Sequence, residues 1–450
     1  MKDTAKWSIV VALAGFLFGF DTVVISGANR PIQALWGTSP LFHGIFIMSM
    51  ALWGTVLGSL LGGIPTKKFG RKKTLFWIGI LFFVSAVGSA LATGPYSFSF
   101  FRFVGGVGVG VSSVAAPIYI SEITTGADRG RLGALYQFNL VFGILIAFVS
   151  NWLLKDFDGA NDWRWMLGVE AIPALLYTFM VVKVPNSPRW LVIQKQNSAA
   201  ALRVLQKIYG SKGALKHLEE IKADAARPAQ SGKLFQKKYS RVLWLGFFIA
   251  FFNQLSGINF VLYYAPQILE QAGLGGSESL FNSIAIGIVN LLFTLLGVRL
   301  IDRLGRRQLI IIGSVGYIFS LAMVGICFQL SLSPTLLLTF ICLFVASHAI
   351  GQGAVIWVFI SEIFPNRVRS YGQSWGTSTH WVFAAIITLI TPFLIDDAEG
   401  VFRNNLEVIY YCFAGMMVLQ LLWAIFKMPE TKGVSLEELE RKLIPDDELN

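Results

Sequence analysis

Long apolar runs that contain no charged side chain alternate with short polar segments along most of the chain. Such runs cover residues 31–66, 74–101, 242–269, 308–361 and 370–395. A helix needs about 20 apolar residues to cross a bilayer. The run at 308–361 is long enough for two helices, which SLSP at 331–334 separates. The pattern therefore predicts an integral membrane protein.

The hydrophobic pattern predicts twelve membrane helices and one long polar segment, 185–240. The helices are expected near 7–28, 44–64, 74–93, 97–120, 132–154, 164–184, 241–265, 280–301, 308–330, 335–361, 371–395 and 406–427. No small-residue cleavage site follows the basic residues of the first helix, so we expect that helix to be retained. In 185–240, SAAALRVLQKIYG and ALKHLEEIKADAA show the spacing of short amphipathic helices.

Composition and charge support a membrane protein with both termini in the cytoplasm. Residues are 54% hydrophobic and 14% charged, whereas soluble domains carry about 25% charged residues. Of 37 Lys and Arg residues, 32 fall on the side of both termini; the five others are Arg30, Arg102, Lys155, Arg164 and Arg403. The positive-inside rule places that basic side in the cytoplasm. The net charge of +11 therefore does not require a nucleic-acid partner.

Two loops recur half a chain apart. GGIPTKKFGRKK (62–73) returns as GVRLIDRLGRRQ (297–308), and SEITTGADRGRLG (121–133) returns as SEIFPNRVRSYG (361–372). The offsets, 235 and 240 residues, predict two homologous six-helix halves, as transporters with internal repeats have. We therefore expect a first half at 1–184, cytoplasmic linker helices at 185–240, a second half at 241–428 and a cytoplasmic tail at 429–450.

Several further motifs, taken together and in order, resemble the sugar porter family of the major facilitator superfamily over nearly the whole chain. They are GFDTVVISG (19–27), RFVGGVGVG (102–110), RGRLGALYQF (129–138), NDWRWMLG (161–168), VPNSPRWL (184–191), NQLSGINFVLYYAP (253–266), WVFISEIFPNRVR (357–369) and PETKG (429–433). Bacterial proton-coupled xylose and hexose symporters are the most similar members. The resemblance implies the all-α major facilitator fold and sugar transport.

Asp21 and Arg102 are expected to pair inside the membrane. Each is a charged residue within an otherwise apolar span, and intramembrane ions normally find partners or serve a function. A static pair that fixes packing is the alternative. The resemblance favours proton coupling, because proton-coupled members have Asp where facilitative relatives usually have Asn. For Glu170, also predicted to be buried, the sequence leaves a gating and a packing role open.

The resemblance also implies a sugar site of amide and aromatic side chains. Such groups match the hydroxyls and the C–H faces of a sugar. The implied hydroxyl ligands are Gln137, Asn253, Gln254, Asn259 and Asn290. The implied aromatic neighbours are Phe18, Tyr263, Trp357 and Trp381. For any single amide, an interhelical hydrogen bond is the alternative.

Three positions depart from the family pattern. His380 stands where xylose-type members have Gln, so we expect it to face the sugar rather than to carry a second proton. Ala354 replaces a Pro of helix 10, which puts the unwinding of that helix in question. Lys67 and Lys68 replace the Asp and Arg that the second copy of the loop keeps as Asp302 and Arg303.

Charged residues at the predicted cytoplasmic helix ends recur in both halves. The family resemblance implies that they form interhelical salt bridges that close the cytoplasmic side: Arg71, Glu122, Arg129, Arg306, Glu362 and Arg369. Lipid-facing snorkelling charges are the alternative.

These features predict a monosaccharide–proton symporter that works by alternating access. It is expected to lie in the cell membrane, to function as a monomer and to need no cofactor. A facilitative sugar uniporter is the nearest alternative. A non-transporting sensor is more remote, because sensors of this fold usually carry long tails. No nucleophile–base, metal-ligand or nucleotide-binding motif indicates an enzyme or a primary pump.

Overall fold

The computed structural model describes residues 2–125, 129–226, 234–365, 367–434 and 436–444. In these ranges every regular element is helical. In chain order the α-helices are α1 (Lys2–Trp36), α2 (Pro40–Phe42), α3 (Met50–Leu61), α4 (Gly63–Lys68), α5 (Arg71–Ala90), α6 (Pro95–Ile123), α7 (Arg129–Leu153), α8 (Asp162–Gly168), α9 (Ala171–Val182), α10 (Pro188–Ile193), α11 (Ser198–Ala226), α12 (Ser240–Leu255), α13 (Ile258–Gln271), α14 (Gly276–Leu304), α15 (Arg306–Gln329), α16 (Pro334–His348), α17 (Ala354–Ile363), α18 (Arg369–Ile395), α19 (Glu407–Phe426) and α20 (Leu436–Leu443). Two π-helical segments, His43–Met48 and Ala349–Gly353, interrupt this series.

Twelve helical stretches in the described ranges are long and apolar enough to cross a membrane. They coincide with the twelve helices that the hydrophobic pattern predicts, so that prediction is confirmed. The first stretch runs to Trp36, about two turns beyond the predicted end, because α1 continues through its polar residues Asn29 and Arg30. Their partners are described below.

The first compact unit contains Met1–Ile25, Met50–Ala147 and Asp156–Gln230. Within it α6 packs against α3 and α5, and α5 packs against α9. The glycine-rich run of α6 allows this approach, since a Cβ on Gly106 would overlap the backbone of Ala51. The core of the unit is apolar, with Phe82, Phe98 and Trp163 fully buried.

The second compact unit contains Ser26–Ser49, Phe148–Lys155 and Ser231–Asn450. Within it α15 packs against α16 and α19, and α12 packs against α18. The end of α1 and the end of α7 belong to this unit rather than to the first. The predicted half boundaries stay a prediction, because the compact units group these two helix ends with the second half of the chain.

The polar segment after α9 forms the expected linker helices. α10 and α11 share a small core made of Trp190, Leu191, Ala201, Leu205, Ala214 and Leu218. Gly210, at φ 73°, divides α11 into the two helical pieces that the amphipathic spacing predicts. The linker rests on the ends of α4 and α6, where the indole N–H of Trp190 donates to the Lys67 carbonyl at 3.0 Å.

The two glycine-rich loops adopt the same turn. Gly70 and Gly305 precede α5 and α15 with φ of 88° and 92°, a left-handed conformation that favours glycine. The arginine that follows each of them donates to a carbonyl five residues back, Arg71 to Thr66 and Arg306 to Ile301, both at 3.2 Å. The sequence repeat therefore extends to local geometry.

Replacing Gly70 with Ala should destabilise the first unit. A side chain at positive φ costs roughly 1–2 kcal/mol, and a Cβ there would lie 2.7 Å from the Trp190 indole. We expect the midpoint of thermal unfolding in detergent to fall by several degrees. Gly63→Ala is the matched control, because a Cβ on this helical glycine would meet nothing within 4 Å. Equal midpoints for both variants would contradict the strain argument.

Candidate functional site

The predicted intramembrane ion pair forms in the first unit. Arg102 of α6 donates to the Asp21 carboxylate of α1 at 2.6 Å and to the Asp21 backbone carbonyl at 2.9 Å. The two residues are 2% and 1% exposed. This double contact fixes the guanidinium against one turn of α1.

Glu170 is the third member of this group, a contact that sequence reasoning left open. It lies in the turn between α8 and α9, is 1% exposed, and its carboxyl group contacts that of Asp21 within hydrogen-bond range. Asp21 Oδ2 and Glu170 Oε1 have no donor among the described residues. Two ionised carboxylates would leave one excess buried negative charge, whereas one shared proton supplies both the missing charge and the missing donor.

Most of the predicted sugar-site residues lie in the second unit. Asn253 and Gln254 are at the end of α12, and Asn259 and Tyr263 follow on α13. Ser256 and Gly257 interrupt the helix between them, with Gly257 left-handed at φ 85°. Interrupted helices are a recurrent feature of transporter binding sites. Here the break brings Asn259 back to Gln254.

The amides of this motif bond to one another. Asn259 donates to Gln254 Oε1 at 2.9 Å, and Gln254 donates to Asn253 Oδ1 at 2.9 Å. Gln254 Nε2 also lies 3.2 Å from Nε2 of His380. His380 therefore contacts the predicted amide group, and its role toward the sugar stays a prediction.

The aromatic residues of α17 and α18 surround His380. Its ring centroid is 4.8 Å from that of Trp357 and 4.7 Å from that of Trp381. Trp357 is half-buried, while His380 and Trp381 are buried. The group combines flat apolar faces with amide donors and acceptors, a combination that suits a polyhydroxylated ligand.

The remaining predicted sugar-site residues are divided between the two compact units. Tyr263 and Asn290 are buried on α13 and α14 of the second unit. Phe18 and Gln137 belong to α1 and α7 of the first unit. Their joint action with the second-unit residues stays a prediction.

The tenth membrane-spanning stretch, Pro334–Ile363, is interrupted beside Ala354, the position where the family has Pro. A π-helical segment, Ala349–Gly353, connects α16 to α17. π-Helical turns are rare and occur often at functional sites. The helix therefore deviates from regular geometry at this point without a proline.

The charged residues predicted to form a cytoplasmic gate make two equivalent ion pairs. Arg71 pairs with Glu122 at 2.7 Å in the first unit, and Arg306 pairs with Glu362 at 2.8 Å in the second. Each pair joins helices of a single unit. Arg369 Nε donates to the Phe364 carbonyl at 3.2 Å. The side chain of Arg129 lies outside the described residues.

A polar cluster that the sequence did not indicate links the end of α1 to other parts of the second unit. Arg30 pairs with Glu270 at 2.8 Å and with Asp397 at 2.7 Å. Asn29 donates to Gln267 at 2.9 Å and contacts the buried His43 at 2.8 Å. We call this group the Arg30 cluster; it also contains Gln33, Gln271 and Asp396.

Asp396 is held ionised within the Arg30 cluster. Burial opposes ionisation, but the backbone N–H groups of Glu399 and Ala398 and the amide of Gln33 donate to its carboxylate, and together they keep its pKa below the ordinary value. A lowered pKa means that this stabilisation is complete at neutral pH. It is lost only as the pH falls through the lowered pKa.

The described residues contain twelve helices long and apolar enough to cross a membrane, two glycine-rich loops of the same geometry and a buried ion pair, a combination typical of multi-pass membrane transporters. A family model described as "Sugar (and other) transporter" matches residues 7–443. The chain belongs to the sugar porter family of the major facilitator superfamily. Proteins of this family are transporters and not enzymes, and sugar transport is the activity that this membership supports.

Individual relatives span nearly the whole chain. A D-xylose–proton symporter of Escherichia coli strain K12 is 32% identical, covering 98% of this chain and 95% of the symporter. A glucose transport protein of Synechocystis is 34% identical, covering 96% and 93%. A solved structure of the E. coli xylose transporter XylE, partially occluded and inward open, has a TM-score of 0.85 at 30% identity, covering 97% of this chain and 100% of that one.

Removing the charge of Arg30 should loosen the end of α1. The Arg30 side chain is 36% exposed, and pairs of this exposure contribute roughly 0.2–1 kcal/mol each. Two such pairs together contribute roughly 0.4–2 kcal/mol, so Arg30→Gln should speed hydrogen exchange of the 26–36 amides by roughly 2- to 30-fold. Concentrated salt should produce part of the same change in the wild type by screening.

Arg403→Gln is the matched control for this measurement. Arg403 lies in the loop before α19 and donates to the Gly400 carbonyl at 3.3 Å. Its replacement should leave exchange in 26–36 unchanged. Equal exchange rates in the wild type and in Arg30→Gln would show that the ion pairs do not hold the helix end.

Proposed function

We propose that the protein is a proton-coupled monosaccharide symporter of the cell membrane that works by alternating access. The observation that carries the proposal is the buried group of Asp21, Arg102 and Glu170. It contains one cation and two carboxyl groups in contact. A packing device would need only one carboxylate. The second creates a place where a proton can bind and leave.

Release of that proton would change the forces on the helices. Two unit charges of the same sign 4 Å apart repel by about 4 kcal/mol at an effective dielectric constant of about 20. Shifting a two-state equilibrium from 1:99 to 99:1 takes about 5.5 kcal/mol. Electrostatic repulsion between Asp21 and Glu170 is therefore of the size needed to bias α1 between two conformations.

The sugar is proposed to bind at the amide and aromatic group described above. Gln254, Asn253, Asn259 and Asn290 would exchange hydrogen bonds with its hydroxyls, and Trp357, His380 and Trp381 would contact its ring; Gln137, Phe18 and Tyr263 are proposed to complete the site. The names of the relatives include xylose and glucose transporters. They support a pentose or hexose without choosing between the two.

The orientation follows from the charge distribution. The basic loops support a cytoplasmic location for both termini, and in that orientation the proton gradient would drive import. The pairs Arg71–Glu122 and Arg306–Glu362, with Arg129 and Arg369, are proposed to brace the cytoplasmic helix ends. A facilitative uniporter is the second candidate, supported by the glucose transport protein of Synechocystis, whose name mentions no proton.

Asp21→Asn should separate coupling from binding. The amide keeps the shape of the side chain but carries no charge and cannot take up a proton. In proteoliposomes with an inward proton gradient, we expect the variant to lose uphill sugar uptake while it retains sugar binding and exchange. Asp3→Asn, at an exposed position in the first turn of the same helix, should behave like wild type.

Two outcomes of this assay decide against symport. Uphill uptake that persists in Asp21→Asn would show that this carboxylate does not carry the proton. Wild-type uptake that equilibrates sugar but never concentrates it, with or without a proton gradient, would identify a uniporter.

Gln254→Ala should weaken sugar binding. The change removes a buried amide, and the loss of a buried hydrogen-bonding group costs roughly 1–3 kcal/mol, or about 5- to 150-fold in Kd. Quenching of tryptophan fluorescence during sugar titration measures this Kd. Gln329→Ala is the control, because Gln329 accepts from Tyr411 at an exposed end of α15. Equal affinities in both variants would place the sugar elsewhere.

A further inference from the structure

A chain of buried hydrogen bonds continues from the candidate sugar site into parts of the second unit that the site itself does not use. Beyond Asn253 it runs through Gln352 of the π-helical segment and Gln420 of α19 to Ser314 of α15. Its steps are Asn259 to Gln254 (2.9 Å), Gln254 to Asn253 (2.9 Å), Asn253 to Gln352 (3.4 Å), Gln352 to Gln420 (2.8 Å), Gln420 to Ser314 (2.8 Å) and Ser314 to the Ile310 carbonyl (2.7 Å). We call it the amide chain.

All bonds of the amide chain point the same way. Each amide donates through its nitrogen to the next residue and accepts through its oxygen from the previous one. Ser314 donates its proton to the carbonyl of Ile310 in its own helix, which leaves its oxygen to accept from Gln420. The orientation of each amide, nitrogen toward the next residue, therefore requires the same orientation of its neighbour.

Because these side chains are buried, an amide in the reversed orientation would have no alternative partner. Gln352, Gln420 and Ser314 are each 0% exposed, so a reversed amide would face a like atom with no solvent to compensate. An unpartnered buried polar group costs far more than a typical hydrogen bond contributes. A change at one end of the amide chain is therefore best relieved by rotation of the amides along it.

The π-helical segment positions the central member of the amide chain. Its wider turn directs Gln352 to both Asn253 of α12 and Gln420 of α19. Close packing supports the segment, because a Cβ on Gly351 would lie 3.1 Å from the Cα of Gly313 on α15. Gly313 precedes Ser314, so the contact that brings the segment close to α15 also holds the last side chain of the amide chain.

We propose that Gln352, Gln420 and Ser314 are positioning residues that determine which hydrogen-bonding end, donor or acceptor, the sugar-site amides present to the ligand. The inference rests on the proposed function, since it requires sugar to bind at Asn253, Gln254 and Asn259. With the direction seen here, the nitrogen of Asn259 faces Gln254, and its carbonyl oxygen is left to accept from a sugar hydroxyl. Recognition of individual hydroxyls then depends on residues that do not touch the sugar.

Deoxyfluoro sugars test whether these remote residues affect the recognition of individual hydroxyls. Fluorine in place of a hydroxyl removes the donor and keeps only a weak acceptor. The ratio of Kd for each deoxyfluoro analogue to Kd for its parent therefore reports how strongly the protein hydrogen-bonds that hydroxyl, and the loss is largest where the protein accepts from it. The probes are D-xylose, D-glucose and their monodeoxyfluoro analogues, titrated by tryptophan fluorescence against the wild type, Ser314→Ala and Gln420→Leu.

We expect both variants to change this ratio at the same hydroxyl positions, by about fivefold or more, which corresponds to one hydrogen bond. Shared positions are the distinguishing result, because a general loosening of the fold would weaken all analogues and their parents together. Ser320→Ala is the matched control. Ser320 is equally buried on α15, but its hydroxyl donates only to carbonyls of its own helix, Gly316 at 2.7 Å and Tyr317 at 3.3 Å.

The outcomes separate this inference from the proposed function. Ratios that match the wild type in Ser314→Ala and Gln420→Leu, with the parent sugars still bound, would overturn the inference and leave the proposed function intact. Ratios altered equally in Ser320→Ala would also overturn it. If the wild type binds none of the probes, both the proposed function and the inference fail. If Ser314→Ala does not fold, the test uses Gln420→Leu against Ser320→Ala: ratios changed at some hydroxyl positions only, and unchanged in the control, support the inference, whereas ratios that match the wild type overturn it.

Discussion

An ionised side chain in the interior of an apolar helical protein is stable only where opposite charge and hydrogen-bond donors replace the water that it has lost. Asp21 and Arg102 meet this condition for each other, at 2.6 Å. Glu170 does not, because its carboxyl group adjoins that of Asp21 without a second cation among the described residues. One proton shared between the two carboxyl groups would supply both the charge and the donor that this group lacks.

Around the candidate sugar site, the second unit solves the same problem with neutral groups. The buried amides and hydroxyls there each offer a donor and an acceptor, and the amide chain pairs them in sequence. Neutral groups suit a neutral, hydroxyl-rich ligand, because binding exchanges one set of hydrogen bonds for another and leaves no charge behind. A buried ion at the same place would hold water or a counter-ion in competition with the sugar.

Sequence reasoning predicted those features whose physical signal is local. The pattern of apolar runs predicted the twelve helices, and two charges within otherwise apolar spans predicted the pairing of Asp21 with Arg102. The contact of Glu170 depends on the direction of a turn between α8 and α9, which no periodicity encodes. Gln352 reaches its partners because a π-helical segment shifts its direction by part of a turn. Arg30 meets Asp397 across 367 residues of chain, and a short loop sequence carries no sign of such a partner.

The ion pairs fall into two groups that differ in side-chain exposure and therefore in strength. Arg71–Glu122 and Arg306–Glu362 have side chains 10–23% exposed and join helices of a single unit, where little solvent screening weakens them. The Arg30 pairs are more exposed, with the Asp397 side chain at 57%, and contacts of that kind contribute at most about 1 kcal/mol each. Thermal motion breaks such contacts readily. The two sets of ion pairs therefore differ in how strongly they hold the helices that they join, and salt should weaken the more exposed Arg30 pairs most.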